Sequence, residues 1–270
     1  MPGLETKQII KRYTGKFITA FSLNKSTKLS VILNYHSVHP THNFATTPND
    51  FLQQMEYLVA NFTMVSLPDF YKLRIAGKSL PDRLAIITFD DGYEDNYTYA
   101  FPVLKQFGIK ATVFLTTGFI NGEVDITEKD GTYQDLKALT WEQVREMRGD
   151  GISFGAHTHT HPILTEISLD QAEGEISRSK KILEEKLGEP AGLFAYPFGQ
   201  PKTFNRNIID LLKKHGFKSA CSTLWGCNNS NVDIFSLNRI RIDACDTFHD
   251  FKEKVNGKWE FIKWIQALRG

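Results

Sequence analysis

Short runs of apolar, mostly β-branched residues alternate with longer amphipathic segments along most of the chain. The runs are LSVILNY (29–35), FTMVSL (62–67), LAIITF (84–89), ATVFLTT (111–117), ISFGAH (152–157), GLFAYPF (192–198) and FKSACST (217–223). Buried strands that alternate with helices are typical of parallel βα units. The pattern therefore predicts an α/β fold with a parallel sheet, and a single barrel domain is the simplest arrangement of it.

Residues that begin and end helices stand between these runs. Thr47-Pro48 precedes FLQQMEYLVANF, and Gly108 follows YTYAFPVLKQF. Thr140-x-x-Gln143 and Ser168-x-x-Gln171 have the spacing of capping boxes, and the second predicts a long helix that ends near Gly188. Because no internal repeat or Pro/Gly-rich linker divides the sequence, we expect one main domain.

We divide the chain of 270 residues into an N-terminal amphipathic segment (1–28), a barrel domain (29–245) and a C-terminal helical segment (246–270). The first residues contain charges throughout, so neither a secretory signal nor a membrane-spanning helix is visible, and a cytoplasmic location is expected. Lys plus Arg (32) nearly equal Asp plus Glu (31), which gives no sign of a nucleic-acid partner. The oligomeric state stays open.

Both terminal segments combine apolar with basic residues at helical spacing. Residues 1–28 contain such a pattern, and KWEFIKWIQALR at 258–269 contains another. A basic amphipathic helix can lie on a membrane surface, which would place the protein at the inner face of the membrane. Two helices that cover the barrel explain the same pattern, and we favour that interpretation.

Titratable side chains follow three of the predicted strands at the point where each strand ends. His36 follows VILNY, Asp90 and Asp91 follow IITF, and His157 follows ISFGA. The carboxyl ends of parallel strands meet at the same end of an α/β barrel. We therefore expect these groups to line one site.

The stretch GAHTHTHP suggests a metal site. His157 and His161 are four residues apart, which would bring them to one face of a helical turn. Thr158 stands where a zincin helix has glutamate, so that class of metalloprotease is excluded. One carboxylate of the Asp90–Asp91 pair would complete a site with two histidines and one aspartate, and the other would stay free as a base. Zinc is the default ion, and Co, Ni or Fe would also suit these ligands.

Three motifs occur in a characteristic order: TFDDG at 88–92, HTHTHP at 157–162 and YPFG at 196–199. Together they resemble the polysaccharide deacetylase family (NodB homology, carbohydrate esterase 4), and "YH" near the start resembles its poly-N-acetylglucosamine deacetylase branch. The resemblance covers roughly residues 29–245. It implies a distorted (β/α) barrel and a metal-dependent hydrolase that removes N-acetyl groups from amino sugars in a polysaccharide, oligosaccharide or lipid-linked glycan.

Position by position, the resemblance also implies roles for individual residues. Asp90 looks like the family's general base, and Asp91, His157 and His161 look like its metal ligands. The third motif resembles the loop that shapes the acetyl pocket, where a backbone N–H, that of Phe198, would help to stabilise an oxyanion. The residues of that loop are Pro197, Phe198 and Gly199.

The sequence departs from the family pattern at two places. Many members have an arginine two residues before the proline of the third motif, where this chain has Ala195. Arg239 or Arg241 would have to supply that charge, and we favour Arg239. The family's late leucine-x-x-histidine motif, the usual source of the general acid, has no clear match at His249. We predict that His36 replaces it.

Two alternatives to a polysaccharide deacetylase stay open. A carbohydrate-binding protein with impaired catalysis would explain the altered third motif and the missing late histidine. A deformylase or deacetylase of a small sugar conjugate would use the same residues as the deacetylase. The intact set of Asp90, Asp91, His157 and His161 favours an active enzyme.

Overall fold

The computed structural model describes residues 29–126, 136–259, 262–263 and 266. Eight parallel strands form one sheet in the order β7-β6-β5-β4-β3-β1-β8, with β2 beside β3. The strands are β1 (Leu29–Tyr35), β2 (Thr63–Met64), β3 (Arg83–Phe89), β4 (Thr112–Leu115), β5 (Ser153–Ala156), β6 (Leu193–Ala195), β7 (Ser219–Cys221) and β8 (Ile240–Arg241). Each of the seven predicted runs matches one strand, with β3 beginning one residue earlier than its run, and of the strands in the described residues only the two-residue β8 was not predicted.

Helices cover the outside of the sheet. They are α1 (Pro48–Asn61), α2 (Leu67–Ile75), α3 (Phe101–Gln106, after a π-helical turn at Asn96–Ala100), α4 (Thr117–Ile120), α5 (Trp141–Gly149), α6 (Leu169–Leu187), α7 (Arg206–Lys214) and α8 (Phe248–Val255). Thr47 caps α1, and both predicted capping boxes form at α5 and α6. Helix α6 ends at Gly188, whose φ of 68° lets it close the helix in the left-handed conformation.

Alternation along the strands separates two hydrophobic clusters. One face packs against the helices, with Leu33 on β1 and Ile87 on β3 among its residues. The opposite face fills the interior of the sheet's curve, where Ile32 and Ile86 pack against Phe114. A Cβ built on Gly155 would lie 2.6 Å from the Phe114 ring, so glycine is needed there to admit the ring. The interior is therefore closely filled beneath the strand ends.

The segment before β8 joins the two edges of the sheet. Leu237 N–H donates to the Ala220 carbonyl (2.9 Å), and Ser222 N–H donates to the Leu237 carbonyl (2.8 Å). Three residues further on, β8 pairs with β1 through Leu33 and Ile240. The α/β class and the distorted (β/α) barrel are thereby confirmed. The closure also carries Arg239, which lies between the two pairings, into the barrel.

The terminal segments are only partly described. Residues 1–28, and with them the predicted N-terminal amphipathic helix, lie outside the described residues. At the other end, α8 packs on α1 through ring contacts of Phe248 and Phe251 with Tyr57. Within the described ranges, none of the helices has the length and hydropathy that crossing a bilayer requires.

Candidate active site

A cavity of about 430 Å³ opens where the strands end. The predicted residues that line it are His36, Asp90, Asp91, His157, His161 and Phe198, together with Arg241, the alternative to Arg239. Arg239 does not line the cavity but lies directly behind Asp90. The structure thus brings together side chains that follow four different strands, as expected for a parallel barrel.

Three of these side chains are arranged as a metal site. Asp91 Oδ1 lies 3.5 Å from Nε2 of His157 and 3.5 Å from Nε2 of His161. His157 Nδ1 is 2.8 Å from the Ala195 carbonyl, which makes Nδ1 the donor and leaves the Nε2 lone pair directed at Asp91. These three residues form the group of potential ligands found in the described part of the chain.

The donor set fits a divalent cation. Asp91 Oδ1 is buried and has no hydrogen-bond partner among the described residues, a state that is costly unless something else binds the oxygen. Two imidazole nitrogens and one carboxylate oxygen leave open positions for water and substrate. Burial lowers the pKa of His157 to about 4, so its ring is neutral and able to bind metal at neutral pH.

The loop that carries the histidines is not helical, so the predicted helical turn from His157 to His161 is wrong. Thr158 has φ = 64° and His161 has φ = 60°, both in the left-handed region. Thr158 Oγ1 accepts the His161 N–H (3.0 Å) and so stabilises this loop. The described non-glycine residues with positive φ are these two together with Asp91 and Phe198, and all four lie at the site.

His159, between the two ligand candidates, faces away from the cavity. Its ring lies 3.0 Å from Thr117 Oγ1 and 3.2 Å from Glu123 Oε2. Glu175 on α6 accepts the backbone N–H groups of His159 (2.9 Å) and Thr160 (2.7 Å). The ligand loop is therefore held by the Glu175 carboxylate, which belongs to none of the sequence motifs.

Asp90 forms a buried, two-pronged ion pair. Its two carboxylate oxygens each lie 2.7 Å from a terminal nitrogen of Arg239. Arg239 is 1% exposed, and its Nε donates to the Ser222 carbonyl (2.7 Å). Arg241, the other candidate, pairs with Asp243 instead (2.8 Å). Arg239 thus reaches the first aspartate from a different element than the family arginine, whose position is occupied by Ala195.

The ion pair sets the charge of the carboxylate. Burial by itself raises the pKa of Asp90, but the Arg239 guanidinium more than offsets this, and the pKa lies well below its ordinary value. Asn34 on β1 adds a further hydrogen bond, from Nδ2 to Asp90 Oδ2 (2.8 Å). Sequence reasoning missed Asn34. Its position two residues before His36, a spacing that directs both side chains to the same side of an extended segment, was the available signal.

His36 lies at the cavity wall and is half-buried. Burial lowers the pKa of its imidazole, while the nearby charges of Asp91 and Asp90 raise it in part. His249, by contrast, lies on α8 with its side chain 74% exposed and is absent from the cavity wall. Of these two histidines, His36 is therefore the one placed near the other site residues.

The third motif forms a tight turn. Gly199 N–H donates to the Pro197 carbonyl (2.7 Å), and Phe198 between them has φ = 62°. Within the described residues, the Phe198 N–H makes no backbone hydrogen bond. A Cβ on Gly199 would lie 2.6 Å from the Thr223 nitrogen, so the close approach of these two segments requires glycine. Thr223, also missed from the sequence, lines the same cavity.

Comparisons with known proteins define the class. The family model for polysaccharide deacetylase matches residues 77–220. The chain belongs to the polysaccharide deacetylase family, which confirms the resemblance carried by the three motifs.

Several individual proteins are similar to this chain in sequence or in fold. The poly-beta-1,6-N-acetyl-D-glucosamine N-deacetylase of Staphylococcus epidermidis is 29% identical over 217 residues, which are 76% of this chain and 71% of that protein. The Streptococcus pyogenes deacetylase PplD, solved in complex with acetate, is 26% identical with a TM-score of 0.72 and covers 84% of this chain and 98% of its own. IcaB from Ammonifex degensii shares the fold (TM-score 0.74, 24% identity, 86% of this chain and 98% of its own).

Proposed function

We propose that this chain removes N-acetyl groups from the amino sugars of a glycan, with a divalent cation held by Asp91, His157 and His161. The observation that carries the proposal is the buried Asp91 Oδ1, which lies between two imidazole Nε2 atoms and has no hydrogen-bond partner in the described part of the chain, beside the cavity-lining Asp90 that Arg239 holds. Family membership supports the reaction class. Zinc is the ion we expect, and Co, Ni or Fe would suit the same ligands.

The reaction is the hydrolysis of an amide bond. The bound cation would supply Lewis-acid polarisation and lower the pKa of the attacking water. Asp90 would accept a proton from that water as its oxygen bonds to the acetyl carbon. Arg239 would keep the Asp90 carboxylate charged and correctly oriented, because a two-pronged pair fixes both position and plane.

Two further groups would stabilise or neutralise the charge that develops in the reaction. The Phe198 N–H would donate to the carbonyl oxygen as it becomes an oxyanion. His36 would donate a proton to the leaving nitrogen, and the C–N bond would then break to give acetate and a free amine. Pro197 and Gly199 would shape the turn around the acetyl group.

The names of the relatives support a substrate class. The staphylococcal relative is named as an N-deacetylase of poly-β-1,6-N-acetylglucosamine, and we propose a β-1,6-linked N-acetylglucosamine chain as the first substrate to test. A lipid-linked glycan or a small formylated or acetylated sugar conjugate would engage the same residues. A carbohydrate-binding protein with impaired catalysis is disfavoured, because Arg239 stands in contact with Asp90 although Ala195 replaces the family arginine.

Membrane contact through the terminal segments stays a prediction. The described side chains of Ile262 and Gln266 line the cavity, which favours the interpretation that the C-terminal segment covers the barrel. Co-sedimentation of the full chain and of a variant without residues 1–28 with anionic liposomes tests this. Equal recovery of both proteins in the supernatant would argue against a membrane role for the N-terminal segment.

Acetate release from β-1,6-linked N-acetylglucosamine oligomers by zinc-loaded protein tests the function. We expect release by the wild type and by His249→Ala, a control at an exposed histidine outside the cavity. Chelated protein and His157→Ala should release none, and His157→Ala should also fail to retain zinc by metal analysis. Equal release with and without chelator, or full zinc content in His157→Ala, would contradict the proposal.

A further inference from the structure

The C-terminal segment reaches the cavity through Gln266. Its side chain makes two hydrogen bonds to the backbone that follows β7. Trp225 N–H donates to Gln266 Oε1 (2.7 Å), and Gln266 Nε2 donates to the Thr223 carbonyl (3.0 Å). One amide group thus fixes both a donor and an acceptor of the same loop, 41 to 43 residues away in sequence.

Thr223 in turn holds the turn of the third motif. Its Oγ1 donates to the Phe198 carbonyl (2.7 Å), and its N–H donates to the Gly199 carbonyl (2.8 Å). These bonds fix the carbonyls on the two peptide units that follow Phe198. Three hydrogen bonds therefore connect Gln266 through Thr223 to the turn, and the bond from Trp225 holds the Gln266 amide in place.

The turn needs such support. Phe198 has a left-handed φ of 62°, which is unfavourable for a residue with a side chain, and the side chain is 49% exposed. Its ring contacts His161 at 5.0 Å but is not enclosed by the hydrophobic core. Packing alone therefore holds Phe198 weakly, whereas the Thr223 hydroxyl bonds directly to its carbonyl and the Thr223 N–H bonds to the carbonyl of the next residue.

We propose that Gln266 and Thr223 are positioning residues that direct the Phe198 N–H into the cavity, so that the C-terminal segment is part of the active site. This inference rests on the proposed function, because it assigns the Phe198 N–H to the developing oxyanion. Neither residue touches the reacting atoms in this scheme. Their effect is the orientation of one donor, which stabilises the transition state more than the bound substrate.

Steady-state kinetics of zinc-loaded protein test the proposal. Gln266→Ala should lower kcat on the order of tenfold, with KM within about twofold of the wild type, because a misaligned donor costs transition-state binding. Thr223→Val, which removes the hydroxyl donor and preserves side-chain shape, should have the same signature. Lys263→Ala is the matched control, since this residue lies in the same segment with an exposed side chain. It should leave both constants unchanged.

Three kinetic results would overturn the proposal. The first is a kcat for both Gln266→Ala and Thr223→Val that matches the wild type. The second is an equal fall of kcat in Lys263→Ala, which would indicate a general loss of structure. The third is a rise of KM with kcat intact, which would make Gln266 a substrate contact instead.

An NMR measurement separates this inference from the proposed function. In ¹⁵N-labelled zinc-loaded protein, Gln266→Ala should shift the backbone amide signals of Phe198 and Gly199, whereas Lys263→Ala should leave them in place. This result is expected whether or not acetate is released from the chosen oligomer. Unchanged Phe198 and Gly199 signals in a folded Gln266→Ala variant would overturn the proposal, even if the wild type is an active deacetylase.

Discussion

Asp90 and Asp95 are two buried carboxylates, five residues apart, in different surroundings. Both are almost inaccessible, at 2% and 6% exposure. Asp90 is paired with the Arg239 guanidinium at the cavity floor. Asp95, at the start of the π-helical turn, accepts hydrogen bonds from the Ser37 hydroxyl and the Asn96 amide, and within the described residues it has no ion pair.

The difference between them shows what sets the charge of a buried acid. Burial raises the pKa of Asp95 to about 7, and its neutral hydrogen-bond donors reverse only part of that effect. For Asp90 the same burial is outweighed by Arg239, and the pKa falls well below its usual range. Of these two buried carboxylates, the one kept charged is thus the one that the proposed chemistry needs, and the following predictions test this contrast.

The largest effect is expected for Asp90→Asn. The amide cannot accept a proton from the attacking water, so kcat should fall about 10³-fold or more. Zinc binding should persist, because Asp91, His157 and His161 are retained. Acetate release and zinc content, measured on the same preparation, check both parts. Substantial activity in this variant would remove Asp90 from the role of base.

Arg239→Lys tests the two-pronged geometry. Lysine keeps the positive charge, but it is a point donor that cannot bind both oxygens of Asp90 in one plane. We expect kcat to fall on the order of 100-fold, because the carboxylate loses its fixed orientation. Arg148→Lys is the matched control, because Arg148 forms a two-pronged ion pair with Glu189 away from the cavity, and this change should lower kcat much less. Equal losses in the two variants would contradict the role of Arg239.

The positions of most site residues could be predicted because they depend on local pattern. Short apolar runs located seven strands, and parallel strands end at one face of a barrel, so His36, Asp90 and His157 were expected together. Because Ala195 occupies the position of the family arginine, another arginine was expected to supply the charge, and Arg239 was favoured. Its contact with Asp90 spans 149 positions, however, and spacing alone could not choose between Arg239 and Arg241.

Other features depend on tertiary structure that no local pattern encodes. The left-handed conformations of Thr158 and His161 occur at non-glycine residues, where local preference opposes them, so a helical turn was the wrong expectation. The strand β8 has only two residues and lacks a visible period. Gln266 acts through backbone groups of a distant loop, and such contacts leave no trace in the sequence of either partner.

Asn34→Ala should have a smaller effect than the change at Arg239. It removes one hydrogen bond from the Asp90 carboxylate but leaves the guanidinium in place, so we expect kcat to fall about tenfold. Asn228→Ala is the matched control, because Asn228 is also fully buried but bonds to the backbone of Asn238, outside the cavity. The control should lose stability without a fall in kcat. If Asn34→Ala left kcat unchanged, Arg239 alone would be sufficient to hold the Asp90 carboxylate in place.

The smallest effect on activity is expected for Asp95→Asn, which should leave kcat near the wild-type value and change how stability depends on pH. The folded-state pKa of Asp95, about 7, lies above that of an unfolded aspartate. The unfolded chain therefore loses this proton first as pH rises, and the folded wild type is progressively destabilised. Between about pH 5 and pH 7 this amounts to roughly 2 to 3 kcal/mol in the free energy of unfolding.

Asn at position 95 cannot ionise, so the variant should lack this part of the pH dependence. Urea unfolding of both proteins across this range measures it, and the difference between the two curves cancels the histidines that titrate in both. The variant should gain stability relative to the wild type as pH rises. Parallel curves would mean that Asp95 is already charged when folded. Its neutral partners would then suffice to hold a buried carboxylate ionised, and the contrast with the arginine-paired Asp90 would fail.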